Sequence, residues 1–154
     1  MKIILATDGT KFGDAATEML SNFRLGSEDS VRVISVVDMA VPLAVDVYGG
    51  YLPDTTELEK VAKENATKVI ESTKEKIRSF FAGTEVDVSG EVMFGSPDSR
   101  IVETAEETGA DLIILGSHGY KRWERLLLGS VSSSVVHHAH CSVLVVRSAG
   151  DHAE

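Results

Sequence analysis

Five short apolar runs alternate along the chain with longer segments in which apolar residues recur every three or four positions. The runs are predicted strands, and they cover Lys2 to Thr7, Val31 to Val37, Val86 to Met93, Asp111 to Leu115 and Ser142 to Val146. Strands that alternate with helices form a parallel sheet, because each crossover helix returns the chain to the same end of the sheet. Several runs are apolar at consecutive positions, as strands covered on both faces must be. The sequence therefore predicts an α/β fold with one open parallel sheet and helices on both faces.

Two helices are predicted before the third strand. The first covers Phe12 to Phe23, and we expect Gly26 to end it in the left-handed conformation. The second helix is the longest, begins with Thr56 and Glu59 at capping-box spacing and ends at Gly83. Its predicted buried stripe consists of Leu58, Val61, Ala62, Ala66, Val69, Ile70, Ile77, Phe80 and Phe81.

Two further helices follow the third and fourth strands. Ser96 as cap and Pro97 at the first helical position open one of them, and Gly109 closes it. Its inward side chains are expected to be Ile101, Val102 and Ala105. The other helix starts near Gly129 and Ser130. Its expected buried side consists of Val131, Val135 and Val136.

Length and composition fit one globular domain, residues 1–148, followed by a short polar tail, residues 149–154. Hydrophobic residues make up 43% of the 154 positions and charged residues 25%, which excludes a disordered polyelectrolyte and a membrane protein. A formal net charge of −9 argues against nucleic-acid binding and against binding to anionic lipid. The single Cys141 has no partner for an internal disulfide, and the apolar run after Met1 is too short for a signal peptide. We therefore expect a cytoplasmic protein.

The stretch from Met39 to Thr55 is too rich in proline and glycine for a regular element and too long for an ordinary strand–helix connection. Two interpretations are equally open. The stretch is a tolerated surface insertion, or it is a lid over a ligand site.

A glycine-rich segment lies between the fourth strand and the fourth helix. It contains Gly116, two residues, Gly119, nine residues and then Gly129 and Ser130. Glycines after a strand accept positive φ and let the backbone approach a ligand, and the N–H groups that open a helix bind anions. Neither the P-loop nor the Rossmann glycine motif is present. The segment thus predicts a phosphate cradle made of backbone amides and the Ser130 and Ser132 hydroxyls, unless the glycines only turn a loop and cap a helix.

This segment resembles the nucleotide-binding signature of the universal stress protein family, which is Gly, two residues, Gly, nine residues, Gly and then Ser or Thr. The resemblance covers residues 2–147. It includes Ile-Ile-Leu-Ala-Thr-Asp-Gly-Thr at the start, Gly-Ser-Pro before the third helix, Ala-Asp-Leu-Ile-Ile-Leu-Gly in the fourth strand and Cys-Ser-Val-Leu-Val-Val-Arg at the end. The family's fold implies the strand order 3-2-1-4-5. The first and fourth strands are then neighbours at the topological switch point, where such sheets bind ligands.

The resemblance also implies a set of contacts with bound ATP. Thr7 and Asp8 would serve the ribose or a phosphate bridged by Mg²⁺ or Mn²⁺, and Val36 would face the adenine. The loop would be lined by Leu115, Gly116, His118 and Gly119. The phosphates would be held by Gly129, Ser130, Val131 and Ser132.

Several of these residue types have a plainer interpretation. Asp8 could cap the first helix, and His118 could donate to phosphate or pack the loop. The histidines and cysteine at 137–141 are metal-ligand types, but their spacing does not favour a site, and histidines suit a last helical turn. A basic cluster near Trp123 is either a solvated loop or a clamp on the terminal phosphate. It consists of Lys121, Arg122 and Arg125.

Three functional hypotheses follow. We favour a nucleotide-binding stress or signalling module with slow or absent turnover, because no nucleophile paired with a base stands near the cradle. The second is a metal-dependent ATPase or self-phosphorylating protein with Ser130 or Ser132 as acceptor. The third is a dimeric scaffold without nucleotide, against which the intact glycine signature argues. In each case the apolar last strand, Val143 to Arg147, predicts a homodimer through that sheet edge.

Overall fold

The computed structural model describes residues 1–38, 55–118 and 128–148. The strands are β1 Lys2–Ala6, β2 Ser30–Asp38, β3 Asp87–Gly95, β4 Leu112–Gly116 and β5 Ser142–Val146. The helices are α1 Lys11–Met19, α2 Thr55–Phe80, α3 Pro97–Thr108 and α4 Ser130–His138. The possible lid, apart from Thr55, lies outside the described residues, as do the basic cluster and the polar tail.

The five strands form one parallel sheet in the order β3-β2-β1-β4-β5, so the predicted fold and strand order are confirmed. β1 is the central strand, with Leu5 level with Val33 of β2 and Ile114 of β4. Its Ile3, Ile4 and Leu5 are almost fully buried, as expected for a strand covered on both faces.

Helices cover both faces of the sheet and create two apolar cores. One core packs the Ile70 and Ile77 side chains of α2 against alternate residues of β1 and β2. The other packs Ile101 of α3 and Val135 of α4 against the opposite face. Within the described ranges, no helix combines the length and the apolar character needed to cross a membrane.

The predicted ends of the helices are correct in part. Gly83 and Gly109 have φ of 87° and 60°, as predicted for glycines that end helices. Ser96 does stand at the N-cap of α3, but its hydroxyl donates to Asp98 Oδ1 at 2.6 Å and makes no capping bond to the backbone. The prediction for Gly26 is wrong, because its φ is not positive.

The first helix ends in a different way. A 3₁₀ turn, Leu20–Asn22, closes it with the Phe23 N–H donating to the Leu20 carbonyl at 2.9 Å. Phe23 is already extended, so no left-handed residue is needed, and the Gly26 N–H instead donates to Asp29 Oδ2 at 2.8 Å.

The predicted start of α2 is too late, because Thr56 was expected as the N-cap, and its buried stripe is shorter than predicted. The helix begins at Thr55, so Thr56 lies inside the first turn. Leu58 and Val61 are 61% and 51% exposed. A helix of 26 residues is about 39 Å long, whereas a nine-residue strand spans about 30 Å, so the first turns extend past the carboxyl end of the sheet.

In α4, Val136 is exposed, contrary to the prediction. Val135 is fully buried in the core. Successive residues of a helix point about 100° apart, and so the neighbouring Val136 faces away from the sheet.

Candidate functional site

A cavity of about 570 Å³ opens at the carboxyl ends of β1, β2 and β4. The N-terminal half of α2, the first turns of α3 and the start of α4 complete its walls. β1 and β4 are neighbours at the topological switch point of the sheet, because β2 and β3 follow on one side of β1 and β4 and β5 lie on the other. Doubly wound sheets bind their ligands at this point. The cavity is therefore the candidate functional site.

All predicted site residues within the described ranges line this cavity. They are Thr7, Asp8, Val36, Leu115, Gly116, His118, Gly129, Ser130, Val131 and Ser132. The remaining one, Gly119, lies outside the described residues. Residues more than 100 positions apart in sequence thus meet at one edge of the sheet.

The start of α4 provides the anion-binding end of the cavity. Gly129 is the N-cap residue, in extended conformation, and its N–H donates to the Ser117 carbonyl at 2.7 Å. This bond ties the start of α4 to the segment that follows β4. The N–H groups of a first helical turn have no acceptor within the helix, and together with the helix dipole they favour a bound anion.

The two serines of this turn have different roles. Ser132 is buried, and its hydroxyl lies 2.8 Å from the Ser117 carbonyl and 3.1 Å from the Gly129 carbonyl. The hydroxyl has one proton, so the prediction that it donates to phosphate is replaced by a role in holding the loop. Ser130 is exposed, and its hydroxyl makes no hydrogen bond with the described residues, which leaves it as the hydroxyl available to an anion.

Close backbone approach, not positive φ, explains the glycines at 116 and 129. Of the two reasons inferred from the sequence, close approach and positive φ, the second is wrong, because neither glycine has a positive φ. A Cβ atom on Gly116 would lie 2.7 Å from the main chain of Phe12 in α1. A Cβ atom on Gly129 would lie 3.1 Å from the Ser117 carbonyl oxygen.

Asp8 organises the turn that leads from β1 into α1. Its Oδ1 accepts hydrogen bonds from the backbone N–H and the hydroxyl of Thr10, at 3.0 Å and 2.6 Å. Thr10, not Asp8, stands at the N-cap of α1. The carboxylate of Asp8 therefore belongs to a turn that lines the cavity, and helix capping does not account for it.

His118 contacts both the loop and the cavity. Its Nδ1 is 3.2 Å from the Ser117 hydroxyl, and its ring lies 5.3 Å from the ring of Phe12. The imidazole is thus packed against α1 while it also lines the cavity. Both roles considered for it from the sequence are compatible with this position.

The histidines at the end of α4 bond to nearby groups. Nδ1 of His137 and of His138 lies 2.7 Å and 2.8 Å from the carbonyl one helical turn earlier. His140 pairs with Glu106 at 2.9 Å, and burial raises the pKa of the Cys141 thiol. No group of three His, Cys, Asp or Glu side chains suited to a metal ion occurs in the described part of the chain.

Sequence reasoning missed the wall that α2 contributes. Ala62, Asn65, Ala66 and Val69 line the cavity, at the spacing of one helical face. Asn65, a polar residue among small and apolar ones on that face, was the available signal. Ser35 of β2 also lines the cavity, and nothing in its local sequence indicates this.

Comparison with known proteins agrees with this fold over its whole length. The model of the universal stress protein family matches residues 1–147. A universal stress protein of Methanocaldococcus jannaschii is 32% identical over 146 residues, which is 95% of this chain and 81% of that protein. The solved structure of a second M. jannaschii universal stress protein has a TM-score of 0.78 at 29% identity, covering 95% of this chain and 94% of that one.

Two more distant solved structures share the fold and hold ligands of their own. An Arabidopsis thaliana family protein with AMP bound has a TM-score of 0.65 at 16% identity, covering all of this chain and 95% of its own. A universal stress protein in complex with cAMP has a TM-score of 0.63 at 17% identity, covering 96% of this chain and 97% of its own. The family match, the relative above 30% identity and the shared fold lead to one conclusion: the chain belongs to the universal stress protein family.

Proposed function

We propose that the protein binds ATP in this cavity and acts as a nucleotide-dependent stress-response module with slow or absent turnover. The observation that carries the proposal is the meeting of Asp8, at the end of β1, with the first turn of α4 around one cavity at the switch point. The adenine nucleotides in two solved structures of the same fold support the choice of ligand class.

Each end of the cavity suits one part of the nucleotide. The first-turn amides of α4 at Val131 and Ser132, with the Ser130 hydroxyl, hold the phosphates, and Gly129, whose own N–H bonds Ser117, leaves room beside them. Thr7 and Asp8 serve the ribose, and Val36 of β2 lies against the base. Leu115, Gly116, His118 and Gly119 form the loop between these two ends.

Asp8 is also the residue that would hold a divalent cation. Mg²⁺ binds through one or two carboxylates together with phosphate oxygens and keeps several waters, so one aspartate beside a phosphate site fits its chemistry. The ion would neutralise phosphate charge in a protein whose formal net charge is −9.

The surroundings of Ser130 support slow or absent transfer of phosphate to its hydroxyl. Phosphoryl transfer to a hydroxyl needs a base that accepts its proton, and no described side chain hydrogen-bonds the Ser130 hydroxyl. Ser132, the other predicted acceptor, is buried and its hydroxyl bonds the Ser117 carbonyl. The alternative, a metal-dependent ATPase or self-phosphorylating protein, requires metal-dependent phosphate release well above that of a Gly129→Val variant.

Ser130→Glu tests the phosphate assignment without disturbing the core. A carboxylate in the first turn of α4 is favoured by the helix dipole, so we expect unchanged folding, but it occupies and repels the phosphate position. ATP affinity measured by calorimetry should fall at least about tenfold, an effect equal to about 1.4 kcal/mol.

Ser27→Glu is the matched control, because it makes the same charge change at an exposed loop residue between α1 and β2, outside the cavity lining. Wild-type affinity in Ser130→Glu, or an equal loss in both variants, would contradict the phosphate assignment. Mass spectrometry of any nucleotide released from denatured wild-type protein identifies the natural ligand.

Asp8→Ala separates the ribose role from the metal role. We expect the variant to lose more ATP affinity in the presence of Mg²⁺ than in its absence, since only the bridged contact depends on the ion. Calorimetric titrations with Mg²⁺ and with a chelator measure both losses. Equal losses under the two conditions would remove the bridging role and leave the ribose role.

A further inference from the structure

Ser117 stands where the end of β5 meets the phosphate end of the cavity. It follows β4 directly and is fully buried. Its N–H donates to the Val146 carbonyl of β5 at 2.8 Å. Its carbonyl accepts hydrogen bonds from the Gly129 N–H at 2.7 Å and from the Ser132 hydroxyl at 2.8 Å. One residue therefore ties the last strand to the first turn of α4.

The hydrogen bond between Ser117 and Val146 lies at the end of the β4–β5 ladder, beyond the last paired residues, Gly116 and Val146. β5 is an edge strand, so within the described structure β4 is the strand that holds it. Arg147, the next residue, is already exposed. Strand ends of this kind are the parts of a fold that open first in local unfolding. The end of β5 is therefore a two-state element, bonded to Ser117 in one state and frayed in the other.

The outer side of the same strand end has its main-chain groups directed away from β4. The N–H and C=O of one strand residue point to the same side, and successive residues point to opposite sides. Because Val146 bonds β4, the main-chain groups of Val145 and Arg147 face the edge of the sheet. Hydrogen bonds along a chain of peptide groups strengthen one another. A strand that pairs with this edge therefore also stabilises the bond between Val146 and Ser117.

A second copy of this chain is the partner that the β5 edge fits. β5 has no charged residue, so two copies can meet there without bringing like charges together, although each has a formal net charge of −9. Antiparallel pairing about a two-fold axis brings Arg147 of one copy to the start of β5 in the other. Asp111 is exposed at that end, because the next residue, Leu112, is level with Ser142. The edge is therefore complementary to itself in charge as well as in hydrogen bonding.

A bound phosphate stabilises the same state from the cavity side. Its oxygens bond the N–H groups of the first turn of α4 and so fix this turn. Gly129 and Ser132 of the same turn hold the Ser117 carbonyl. Fraying at Val146 releases the Ser117 N–H and loosens the residue to which the turn is tied. Phosphate and a second copy therefore both bind better when the bond between Ser117 and Val146 is intact.

We propose, on the basis of the ATP site above, that nucleotide binding and the pairing of two β5 strands strengthen each other through Ser117. Two ligands that favour the same state of a two-state element are positively coupled, and the coupling is reciprocal. The dimer is then the form that binds the nucleotide more tightly, and occupancy of the cavity sets how much of the protein is dimeric. A module without turnover can report the presence of ATP in this way.

Sedimentation over a dilution series tests the coupling on the full chain. The dimer dissociation constant is measured without ligand and with saturating inorganic triphosphate, both in Mg²⁺ at fixed ionic strength. If each site binds triphosphate about fivefold more tightly in the dimer, linkage requires this constant to fall about 25-fold when both sites are filled. Ser130→Glu, which blocks the phosphate position, should remove the shift, and Ser27→Glu should retain it.

Calorimetric titration with triphosphate and with ATP measures the same coupling from the other side. We expect the monomeric variant Val145→Asp to bind both about fivefold more weakly than dimeric wild type. Ser89→Asp is the matched control, because it adds the same charge at an exposed residue of the opposite edge strand, β3, outside the cavity lining. It should remain dimeric and bind as wild type does.

Hydrogen exchange followed by NMR observes the linking bond directly. The Ser117 N–H should exchange at least about fivefold more slowly in the wild-type dimer than in Val145→Asp, and more slowly again with triphosphate. The Asp87 N–H donates to the Asp29 carbonyl at the opposite edge and the opposite end of the sheet. Its exchange should not change, which separates coupling through β5 from general stabilisation by the ligand.

Several results would overturn the inference. They are a dimer dissociation constant that triphosphate leaves unchanged or raises, equal affinities of wild type and Val145→Asp, equal Ser117 exchange in monomer and dimer, and a wild type that stays monomeric. If Val145→Asp does not fold, the wild-type dilution series decides alone. Absence of both ATP and triphosphate binding would overturn the proposed function as well, whereas binding without effect on the dimer would overturn the inference alone.

Discussion

Two glycines beside the cavity, Gly13 and Gly116, stand where a larger side chain would not fit. A Cβ atom on Gly13 would collide with the Thr7 hydroxyl, and one on Gly116 would lie 2.7 Å from the Phe12 main chain. These two glycines let α1 approach the carboxyl ends of β1 and β4. The side chains of Thr7 and Asp8 are held at the cavity by this approach.

Gly116→Ala is expected to destabilise the protein. The added methyl group forces α1 away from β4, and overpacking of this kind costs about 1–3 kcal/mol. Urea unfolding measures the loss. Gly26→Ala is the control, because a Cβ atom there meets nothing within 4 Å and its φ is not positive, so its stability should be unchanged or slightly higher. Equal stabilities of the two variants would show that α1 and the end of β4 are not in close contact at Gly116.

At the scale of elements, α4 is held in place by α3 as well as by the sheet. Asp98, in the first turn of α3, accepts hydrogen bonds from the Ser96 hydroxyl at 2.6 Å and from the Ser134 hydroxyl of α4 at 2.7 Å. These bonds, from Ser96 first and Ser134 second, hold the pKa of the Asp98 carboxyl below its usual 3.8. The same carboxylate therefore links the start of α3 to α4, the helix whose first turn forms the phosphate end.

Asp98→Asn should lower stability in a pH-dependent way. A carboxyl whose pKa is lower in the folded state contributes stability above its unfolded pKa of 3.8 and loses it as the pH falls through the folded value. We expect a loss of about 1 kcal/mol or less at neutral pH, since the carboxylate is partly solvated.

Urea unfolding from about pH 7 to about pH 3 measures this difference, which should shrink below pH 3.8. Glu107→Gln, which neutralises an exposed carboxylate on the same helix, is the control and should show little change. A difference between Asp98→Asn and wild type that is constant over this pH range would contradict the role of the charge.

For the whole molecule, the two edges of the sheet differ. β3 has exposed Asp87, Ser89 and Glu91 along its edge, which discourage pairing with another strand. β5 has no charged residue, and of its apolar residues only Val146 is buried within the monomer, while Val143, Leu144 and Val145 are half-buried. The β5 edge is therefore the surface on which we expect a second copy to pair.

Sedimentation at micromolar concentration should show a dimer that Val145→Asp converts to a monomer. Antiparallel pairing of two β5 strands about a two-fold axis buries their apolar side chains, and a charge there opposes it. Leu58→Asp is the control, since it adds the same charge at an exposed residue of α2. This helix packs on β2 and β3, toward the edge of the sheet opposite to β5. A monomeric wild type, or a dimer that survives Val145→Asp, would rule out this interface.

The sequence alone determined the order of elements, the strand positions to within two residues and the class of fold. Local patterns are sufficient for this, because apolar runs, helical periodicity and residues such as Pro97 and Gly109 act within a few positions. The glycine-rich segment and Asp8 also indicated the phosphate end of the site, since their position after a strand is visible in the sequence. The strand order came from the family resemblance and not from any pattern within this chain.

Only the tertiary structure decided how the site is completed. Ser35 and Asn65 meet the cavity because strand register and the overhang of α2 bring them there, and neither effect is local. The buried hydroxyl of Ser132 bonds Ser117, 15 residues away, which no spacing predicts. The physical reason is the same in each case: periodicity specifies which face of an element is apolar, whereas the contacts of a polar group depend on which other elements pack against that face.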